Sequence, residues 1–234
     1  MIRYIKKYKA TIANFFDRII LRGNNVICEI CGWHGKKFPH NKCPKCNSLA
    51  RTRLIPFSIN HFGVSKKDIS LLHVAVNEPE YKYITTNFNF IKYDRLDIVK
   101  KKFVNLVQDL TKTDLLDNQY DFILIWHVLE HIPNDLVAIS EMYRILKPKG
   151  KLLVSVPLYP ANKPKTYEDI AIERSEFERI HGHDDHCRSC GLDYYERFEK
   201  VGFKTSTLHV KNLENSIKNK FGLSNNHTAW LFEK

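Results

Sequence analysis

Short apolar runs alternate with stretches of helical spacing along the chain from Ser70 onwards. Apolar, aromatic and β-branched residues cluster in runs that predict seven strands, over residues 70–76, 89–93, 104–108, 121–126, 151–156, 205–210 and 228–232. Apolar residues recurring every three or four positions predict a helix over residues 135–146, and a second helix is predicted over residues 193–201. This alternation is typical of an α/β fold with a parallel sheet.

The N-terminal part has a different pattern. Residues 1–25 carry apolar side chains at helical spacing among basic ones, which predicts an amphipathic helix. Such a helix either lies on an anionic membrane surface or packs on its own protein or a second copy, and we favour packing. Residues 26–67 contain a cysteine-rich ribbon and a linker helix over residues 48–62. The main domain is predicted to occupy residues 68–234.

The formal net charge of +11 belongs to the N-terminal part. Residues 1–67 contain 14 Lys and Arg against 2 Asp and Glu, whereas residues 68–234 contain 23 against 24. An anionic surface or partner is therefore a candidate for the N-terminal part alone. The chain has no apolar run of about 18 residues and no secretory signal, so we expect a cytoplasmic protein. Peripheral contact with the inner membrane face is the alternative, and the oligomeric state is not predicted.

All six cysteines fall in Cys-x-x-Cys pairs, which in a cytoplasmic chain favour a metal over disulfides. Two such turns supply four thiolates to one tetrahedral Zn²⁺, and four protein ligands leave no open position. We therefore predict a structural zinc site, with unligated thiols or a redox pair as alternatives. The predicted ligands are Cys28, Cys31, Cys43 and Cys46. The third pair, Cys187 and Cys190, receives no role.

Ligands of open parallel sheets bind beyond the carboxyl ends of the strands. Those ends place five parts of this chain at one edge, which are residues 75–79, Asp94, residues 109–110, residues 127–131 and residues 157–159. Asp94 and Asp109 follow the second and third predicted strands, where a carboxylate can hold a ribose hydroxyl or an adenine amino group. The alternative is that each Asp only caps a turn.

Residues 120–157 carry a recognisable unit, YDFILIWHVLEHIPNDLVAISEMYRILKPKGKLLVSVP. It resembles the fourth-strand-to-fifth-strand unit of class I S-adenosylmethionine-dependent methyltransferases, and residues 71–157 fit that family's first five strands. The order of cysteine ribbon, methyltransferase-like domain and late GHDDHCR segment is similar to a bacterial subgroup with an N-terminal zinc ribbon. The resemblance implies a Rossmann-like, seven-stranded methyltransferase sheet with a small zinc-ribbon module.

The resemblance also implies S-adenosylmethionine as the cofactor. The family's first strand ends in an acidic residue followed by a glycine-rich loop, but here His73 stands in the acid's place and Ala75 in that of the first glycine. Asp94 matches the ribose-binding acid, with Asp97 as its rival, and Asp109 matches the acid on the adenine side. The predicted cofactor-binding residues are His73, Val74, Ala75, Asn77, Asp94, Asp109, Leu110 and His127.

Two groups of side chains could carry chemistry. His127, Glu130 and His131 share one side of a helical turn, so they could hold a base or a divalent metal, or only anchor the turn. Residues 180–191 form a second group rich in His, Asp and Cys, which could bind a second metal or form a packed loop. We favour a substrate site there. The predicted catalytic residues are His186 as base, Asp185 as the group that orients it, and His131. The predicted substrate-binding residues are Arg188, which would contact an anionic group, Glu130 and Tyr159.

Three functions are compatible with these features. The leading hypothesis is methyl transfer from S-adenosylmethionine to a hydroxyl of a small molecule or a glycan. The second is nucleic-acid methylation with the basic ribbon as a grip, which the neutral main domain and the lack of an Asn/Asp-Pro-Pro-aromatic motif after strand four disfavour. The third is a non-catalytic cofactor-binding module, which the missing glycines suggest.

Overall fold

The computed structural model describes residues 16–234 of the chain. The N-terminal helix predicted over residues 1–25 therefore lies mostly outside the described residues, and residues 16–20 are helical. Strands β1 (Arg22–Cys28) and β2 (Trp33–Gly35) pair antiparallel to form the cysteine ribbon. Among the described residues, no helix combines the length and apolar character needed to cross a bilayer.

Seven further strands form one mixed sheet, which confirms the predicted fold class. They are β3 (Ile69–Val74), β4 (Phe90–Asp97), β5 (Leu106–Val107), β6 (Tyr120–Trp126), β7 (Leu146–Ser155), β8 (Lys204–His209) and β9 (Thr228–Glu233). The sheet order is β5-β4-β3-β6-β7-β9-β8. The first five strands run parallel, and β9 pairs antiparallel with both β7 and β8.

Helices cover both faces of this sheet. They are α1 (Ala50–His61), α2 (Glu78–Asn87), α3 (Asp135–Ile145), α4 (Phe177–His181), α5 (Glu196–Glu199) and α6 (Asn215–Phe221). The predicted helices over residues 48–62 and 135–146 are found as α1 and α3. The helix predicted over residues 193–201 is found as a 3-10 turn followed by α5. Helix α2 was not predicted.

The central strands β3 and β6 are buried on both faces because each face packs against helices. Successive residues of the central strands enter opposite cores, since side chains alternate along a strand. Ile123 and Ile125 of β6 pack in the core that contains α3, whereas Phe122 and Leu124 pack in the core that contains α1 and the ribbon. The ribbon is therefore packed onto the face of the sheet opposite α3.

A buried arginine joins the ribbon region to the C-terminal part. The guanidinium of Arg53, on α1, donates to the backbone oxygens of Ser48, Phe221 and Gly222. Its Cζ also lies 3.8 Å from the centre of the Phe38 ring. Removal of a buried guanidinium from water is costly unless its donors are satisfied. These contacts satisfy it and fix the ribbon to the end of α6.

Strand β4 ends four residues later than the sequence pattern predicts, at Asp97. Its second half contains charged residues, but Arg95 stacks on the Tyr93 ring and donates to the backbone oxygens of Phe103 and Tyr93. The charged side chains thus lie along the surface of the strand without interrupting it. As a result, Asp94 lies within the strand and Asp97 ends it.

Candidate functional site

A cavity of about 440 Å³ opens at the carboxyl edge of the parallel strands. Its walls come from the ends of β3 and β4 and from the segments that follow β5 and β6. Most of the lining is apolar, with two carboxylates and one imidazole. The lining residues are Val74, Ala75, Leu96, Asp97, Ile98, Gln108, Asp109, Leu110, Thr111, Val128, His131, Ile132, Pro133 and Asn134.

The turn after β3 lines the cavity and has an unusual backbone conformation. Ala75 has φ +55°, and its N–H donates to the backbone oxygen of Leu96 at 2.8 Å. A left-handed conformation costs an L-residue about 1–2 kcal/mol, which is why glycine is the usual choice there. Alanine has the smallest side chain after glycine, so Ala75 adds only a methyl group to the wall of the cavity. Of the residues predicted to bind the cofactor, Val74 and Ala75 line the cavity, whereas Asn77 caps α2 by accepting from the N–H of Glu80.

His73 does not line the cavity. Its side chain is fully buried, with Nε2 3.3 Å from a Glu80 carboxylate oxygen and Nδ1 3.1 Å from the Tyr93 hydroxyl. Because β3 ends one residue later, this side chain points into the packing beside α2. The prediction that His73 contacts the cofactor is corrected by this placement.

Asp94, predicted to bind the ribose, does not line the cavity, whereas its rival Asp97 does. Asp94 accepts from the Tyr120 hydroxyl at 2.6 Å and from Asn105 Nδ2 at 3.1 Å, and Lys92 lies 3.0 Å away. Burial raises the pKa of Asp94, but these partners outweigh burial and hold the pKa below its usual value. Asp94 is therefore a packing residue, and Asp97 lines the cavity.

The second carboxylate of the cavity belongs to Asp109, next to the buried Leu110. Asp109 accepts from the N–H and the hydroxyl of Thr111, both at 2.8 Å, and these hydrogen bonds hold the pKa of Asp109 below its usual value. The predicted positions of Asp109 and Leu110 at the cavity are thus found in the structure. Gln108, Thr111 and Asn134 also line the cavity and were not predicted.

A histidine cluster borders the cavity, formed by Glu130, His131, His183, Asp185 and His186. The ring centres of His131 and His186 are 4.8 Å apart, and those of His183 and His186 are 5.0 Å apart. Nδ1 of His131 lies 3.1 Å from a carboxylate oxygen and 3.2 Å from the backbone oxygen of Asp185. Two segments that are about 50 residues apart in the sequence thereby meet beside the cavity.

The carboxylate of Asp185 does not orient His186 as predicted. Its Oδ1 lies 3.1 Å from His131 Nδ1 and 2.5 Å from His183 Nδ1. His186 instead stands edge-on to His131. Two main causes lower the pKa of His186 to about 4: burial is the larger, and the neighbouring imidazole of His131 is the second. The imidazole of His186 is therefore neutral at neutral pH.

Glu130 is buried behind the histidine cluster, with 1% of its surface exposed. One carboxylate oxygen, Oε1, lies 3.7 Å from His131 Nε2 and 3.7 Å from His127 Nδ1. Burial raises the pKa of Glu130 to about 8. Burial also lowers the pKa of His127 well below its usual value. His127, predicted to bind the cofactor, sits behind Glu130 and does not line the cavity.

Arg188 was predicted to bind an anionic substrate group, and the structure corrects this. The side chain is 1% exposed, and its guanidinium donates to the backbone oxygens of Leu129, Ile132 and Pro133. It also donates to a Glu168 carboxylate oxygen at 2.8 Å, and a carboxylate oxygen of Asp135 lies 3.5 Å away. Four of the five N–H donors of the guanidinium thus make hydrogen bonds, and the Asp135 carboxylate adds an ion pair. Arg188 holds the turn after β6 in place.

Tyr159 also lies off the cavity, although it was predicted to bind substrate. Its ring packs against Gly182, where an added Cβ would lie 2.7 Å from the ring carbons. Cys187 donates its N–H to the Glu130 backbone oxygen at 2.8 Å, and Cys190 is fully buried. Neither cysteine belongs to a potential metal cluster in the part of the chain that the structure describes.

The four ribbon cysteines converge on one point. Sγ of Cys28 lies 3.7 Å from that of Cys46, and Sγ of Cys31 lies 3.7 Å from that of Cys43. Two sulfurs bound to one tetrahedral Zn²⁺ at about 2.3 Å lie about 3.8 Å apart, so the arrangement fits this ion. Each Cys-x-x-Cys turn ends in a left-handed residue, Gly32 with φ +68° or Asn47 with φ +60°.

Comparison with known protein families agrees with the observed fold. The family profile described as a methyltransferase domain matches residues 3–208. The chain belongs to this family of methyltransferase domains. Among curated proteins, no match is found. Family membership supports S-adenosylmethionine-dependent methyltransferase activity, and the cavity at the carboxyl edge is the place where ligands of such sheets bind.

Solved structures share this fold at low sequence identity. A SAM-dependent methyltransferase from Archaeoglobus fulgidus matches with a TM-score of 0.54 and 14% identity, over 78% of this chain and 94% of that chain. The 1,6-didemethyltoxoflavin-N1-methyltransferase of Burkholderia thailandensis, solved with 1,6-didemethyltoxoflavin and S-adenosylhomocysteine bound, matches with a TM-score of 0.53 and 14% identity, over 78% and 76%. The cyclase SpnF matches at 0.52 and 14%, over 78% and 80%. Since a cyclase shares the methyltransferase fold, the reaction must be argued from side chains.

The role assigned to Arg188 predicts the effect of a charge-conserving substitution. Arg188→Lys keeps the charge but cannot supply five donors, so buried backbone oxygens lose their partners. We expect the free energy of unfolding in urea to fall by about 2–3 kcal/mol. The matched control is Arg179→Lys, because the Arg179 side chain is 72% exposed; its effect should stay below about 0.5 kcal/mol. Equal stability of wild type and Arg188→Lys would contradict a structural role.

Proposed function

We propose that this protein transfers the methyl group of S-adenosylmethionine to a hydroxyl of a small molecule or saccharide. The observation that carries the proposal is the position of His131, which lines the cavity and also belongs to the histidine cluster. A cofactor-sized, mostly apolar cavity and a group of acid–base side chains thus share one residue. Methyl transfer to a hydroxyl requires both, because the acceptor oxygen gains the methyl group and loses its proton.

The cavity residues fit the proposed cofactor. When bound, S-adenosylmethionine supplies a methyl group activated by a positively charged sulfur. Asp97, at the end of β4, already accepts from the Val99 N–H at 3.1 Å and from Lys101 Nζ at 2.6 Å. Each carboxylate oxygen has a second lone pair, which can accept a hydrogen bond from a ribose hydroxyl. Asp109 can accept from the adenine side. Ala75 allows close backbone approach on the side of the amino acid part, and the apolar walls exclude water from the site.

The acceptor is proposed to enter beside the histidine cluster. Asp185 holds the His131 ring through Nδ1, which leaves Nε2 as the free nitrogen. His183, with a side chain 57% exposed, lies at the rim of the cluster and leaves the entrance accessible to a polar molecule. Arg188 is buried and bonded to protein oxygens, so we do not propose that it binds a substrate anion, and we take a neutral hydroxyl as the acceptor group.

We also propose that the ribbon cysteines bind one structural Zn²⁺, which would place the chain in the zinc-ribbon subgroup. Four thiolates occupy every position of a tetrahedral ion, so the metal would stabilise the fold and would not act on substrate. The supporting observation is the pair of 3.7 Å sulfur–sulfur distances.

The assignment of Asp97 predicts a difference between two neighbouring carboxylates. Asp97→Asn should weaken binding of S-adenosylhomocysteine by about tenfold or more, because a charge-assisted hydrogen bond contributes about 1.5–3 kcal/mol. Asp94→Asn is the control on the same strand, and it should lower stability while leaving affinity unchanged. Isothermal titration calorimetry measures both. If the wild type binds neither S-adenosylmethionine nor S-adenosylhomocysteine, the proposed activity is wrong.

Incubation with S-adenosylmethionine carrying a deuterated methyl group tests the acceptor class. We expect mass spectrometry to detect the labelled methyl group on saccharides with free neighbouring hydroxyls, and no labelling of RNA or DNA in parallel reactions. His186→Ala should slow the transfer by about 10²–10⁴-fold while S-adenosylhomocysteine affinity is retained. Labelling of nucleic acid alone, or unchanged turnover of His186→Ala, would contradict the proposal.

The zinc proposal predicts the metal content of two cysteine variants. After dialysis against a moderate chelator, the wild type should retain about one zinc per chain. Cys43→Ser should retain none and unfold at a lower temperature, because binding of a structural zinc adds to the free energy of folding. Cys187→Ser, in the Cys-x-x-Cys pair outside the ribbon, should keep its zinc. Elemental analysis decides, and a zinc-free wild type of normal stability would refute the site.

A further inference from the structure

The histidine cluster has the composition and spacing of a second metal site. One ligand atom from each of Glu130, His131 and His186 lies within 4.8 Å of the other two. The same holds for His183, Asp185 and His186. Both groups lie beside the cavity, whereas the cysteine quartet belongs to the ribbon. Proximity alone does not make a metal site, but the environment of Glu130 adds independent evidence.

Glu130 is a buried carboxylate without adequate partners. Its Oε2 has no hydrogen-bond partner among the residues that the structure describes, although the side chain is 1% exposed. Its Oε1 is 3.7 Å from His131 Nε2, which is too long for a hydrogen bond. Two ligand atoms bound to one cation at about 2.1 Å lie about 3.4 Å apart in tetrahedral geometry. The 3.7 Å distance between Glu130 Oε1 and His131 Nε2 is therefore close to the separation of two atoms that bind one cation.

Asp185 holds His131 in the orientation that ligation requires. Histidines that bind a metal through one ring nitrogen usually donate the other N–H to a carboxylate or a backbone oxygen. Nδ1 of His131 faces both a carboxylate oxygen and the backbone oxygen of Asp185, at 3.1 Å and 3.2 Å. The other nitrogen, Nε2, is the one that faces Glu130.

We propose that Glu130, His131 and His186 bind a divalent cation, with Asp185 as the residue that positions His131. Two imidazoles and one carboxylate suit Zn²⁺ and its neighbours among the transition metals better than Mg²⁺ or Ca²⁺, which prefer oxygen ligands throughout. Three protein ligands leave at least one open position, in contrast to the four-thiolate ribbon site.

The role of this cation rests on the proposed function. An acceptor hydroxyl bound at the open position would lose its proton to water more easily, because a cation stabilises the alkoxide. That oxygen then forms a bond to the methyl carbon, the carbon–sulfur bond breaks, and its electron pair stays on sulfur. A neighbouring oxygen of the acceptor could occupy a further position. The inferred acceptor class is therefore a molecule with two adjacent oxygens, such as the vicinal diol of a saccharide.

Calorimetric titration of Zn²⁺ into the full-length protein, with the ribbon already loaded with one equivalent, tests the site. We expect one further equivalent to bind, with affinity at least about tenfold lower in Glu130→Gln and in His186→Ala. The matched control, His34→Ala, removes an exposed ribbon histidine and should bind like the wild type. Thermal unfolding and S-adenosylhomocysteine binding show whether each variant is folded.

The outcomes separate the metal site from the proposed function. Absence of a further equivalent, or equal binding by Glu130→Gln and the wild type, would overturn the site and leave a water-bridged or purely acid–base cluster. Binding of Zn²⁺ by a wild type that binds no S-adenosylhomocysteine would support the site while the proposed function fails. Methyl transfer that persists after chelation of the second equivalent would overturn the catalytic role of the cation.

Discussion

The guanidinium of Arg188 holds the candidate site together. It donates to three backbone oxygens of the turn after β6 and to Glu168, so it ties the turn that carries Glu130 and His131 to the segment that carries Asp185 and His186. Burial of a cation is costly unless it is paired and hydrogen-bonded, as this guanidinium is. Arg188 needs the backbone oxygens of the turn as acceptors, and the turn needs Arg188 to keep its conformation. The cluster geometry therefore follows from the satisfaction of one buried charge.

Backbone conformation at the carboxyl edge determines the shape of the cavity. Ala75 after β3 and His127 after β6 both adopt left-handed φ values, +55° and +54°. The N–H of each donates to the backbone oxygen of a neighbouring strand segment, at Leu96 and Ser155. Two adjacent strands thus turn sharply at the same level and leave space between the segments that follow. Retention of this turn with alanine explains how a chain without the family's glycines keeps the cavity.

The sequence pattern predicted the layout of the fold more fully than the site. Apolar runs reveal strands because burial on both faces leaves a local signature, and the Cys-x-x-Cys spacing reveals the ribbon for a similar reason. The sequence indicates Asp97 only as a rival to Asp94, because the end of β4 depends on how Arg95 stacks in three dimensions. The pairing of Asp185 with His131 and the burial of Arg188 depend on contacts about 50 residues apart. Such contacts leave no periodic trace in the sequence.

The basic N-terminal part influences the site through α1. Trp126, at the end of β6, donates its ring N–H to the backbone oxygen of Arg51 at 3.0 Å, which places the start of α1 behind the turn after β6. Burial is the main reason for the low pKa of His127, and the positive charge of Arg51 lowers it further. Both effects favour the neutral imidazole. One positive charge of the N-terminal part thus helps to keep His127 uncharged beside Glu130.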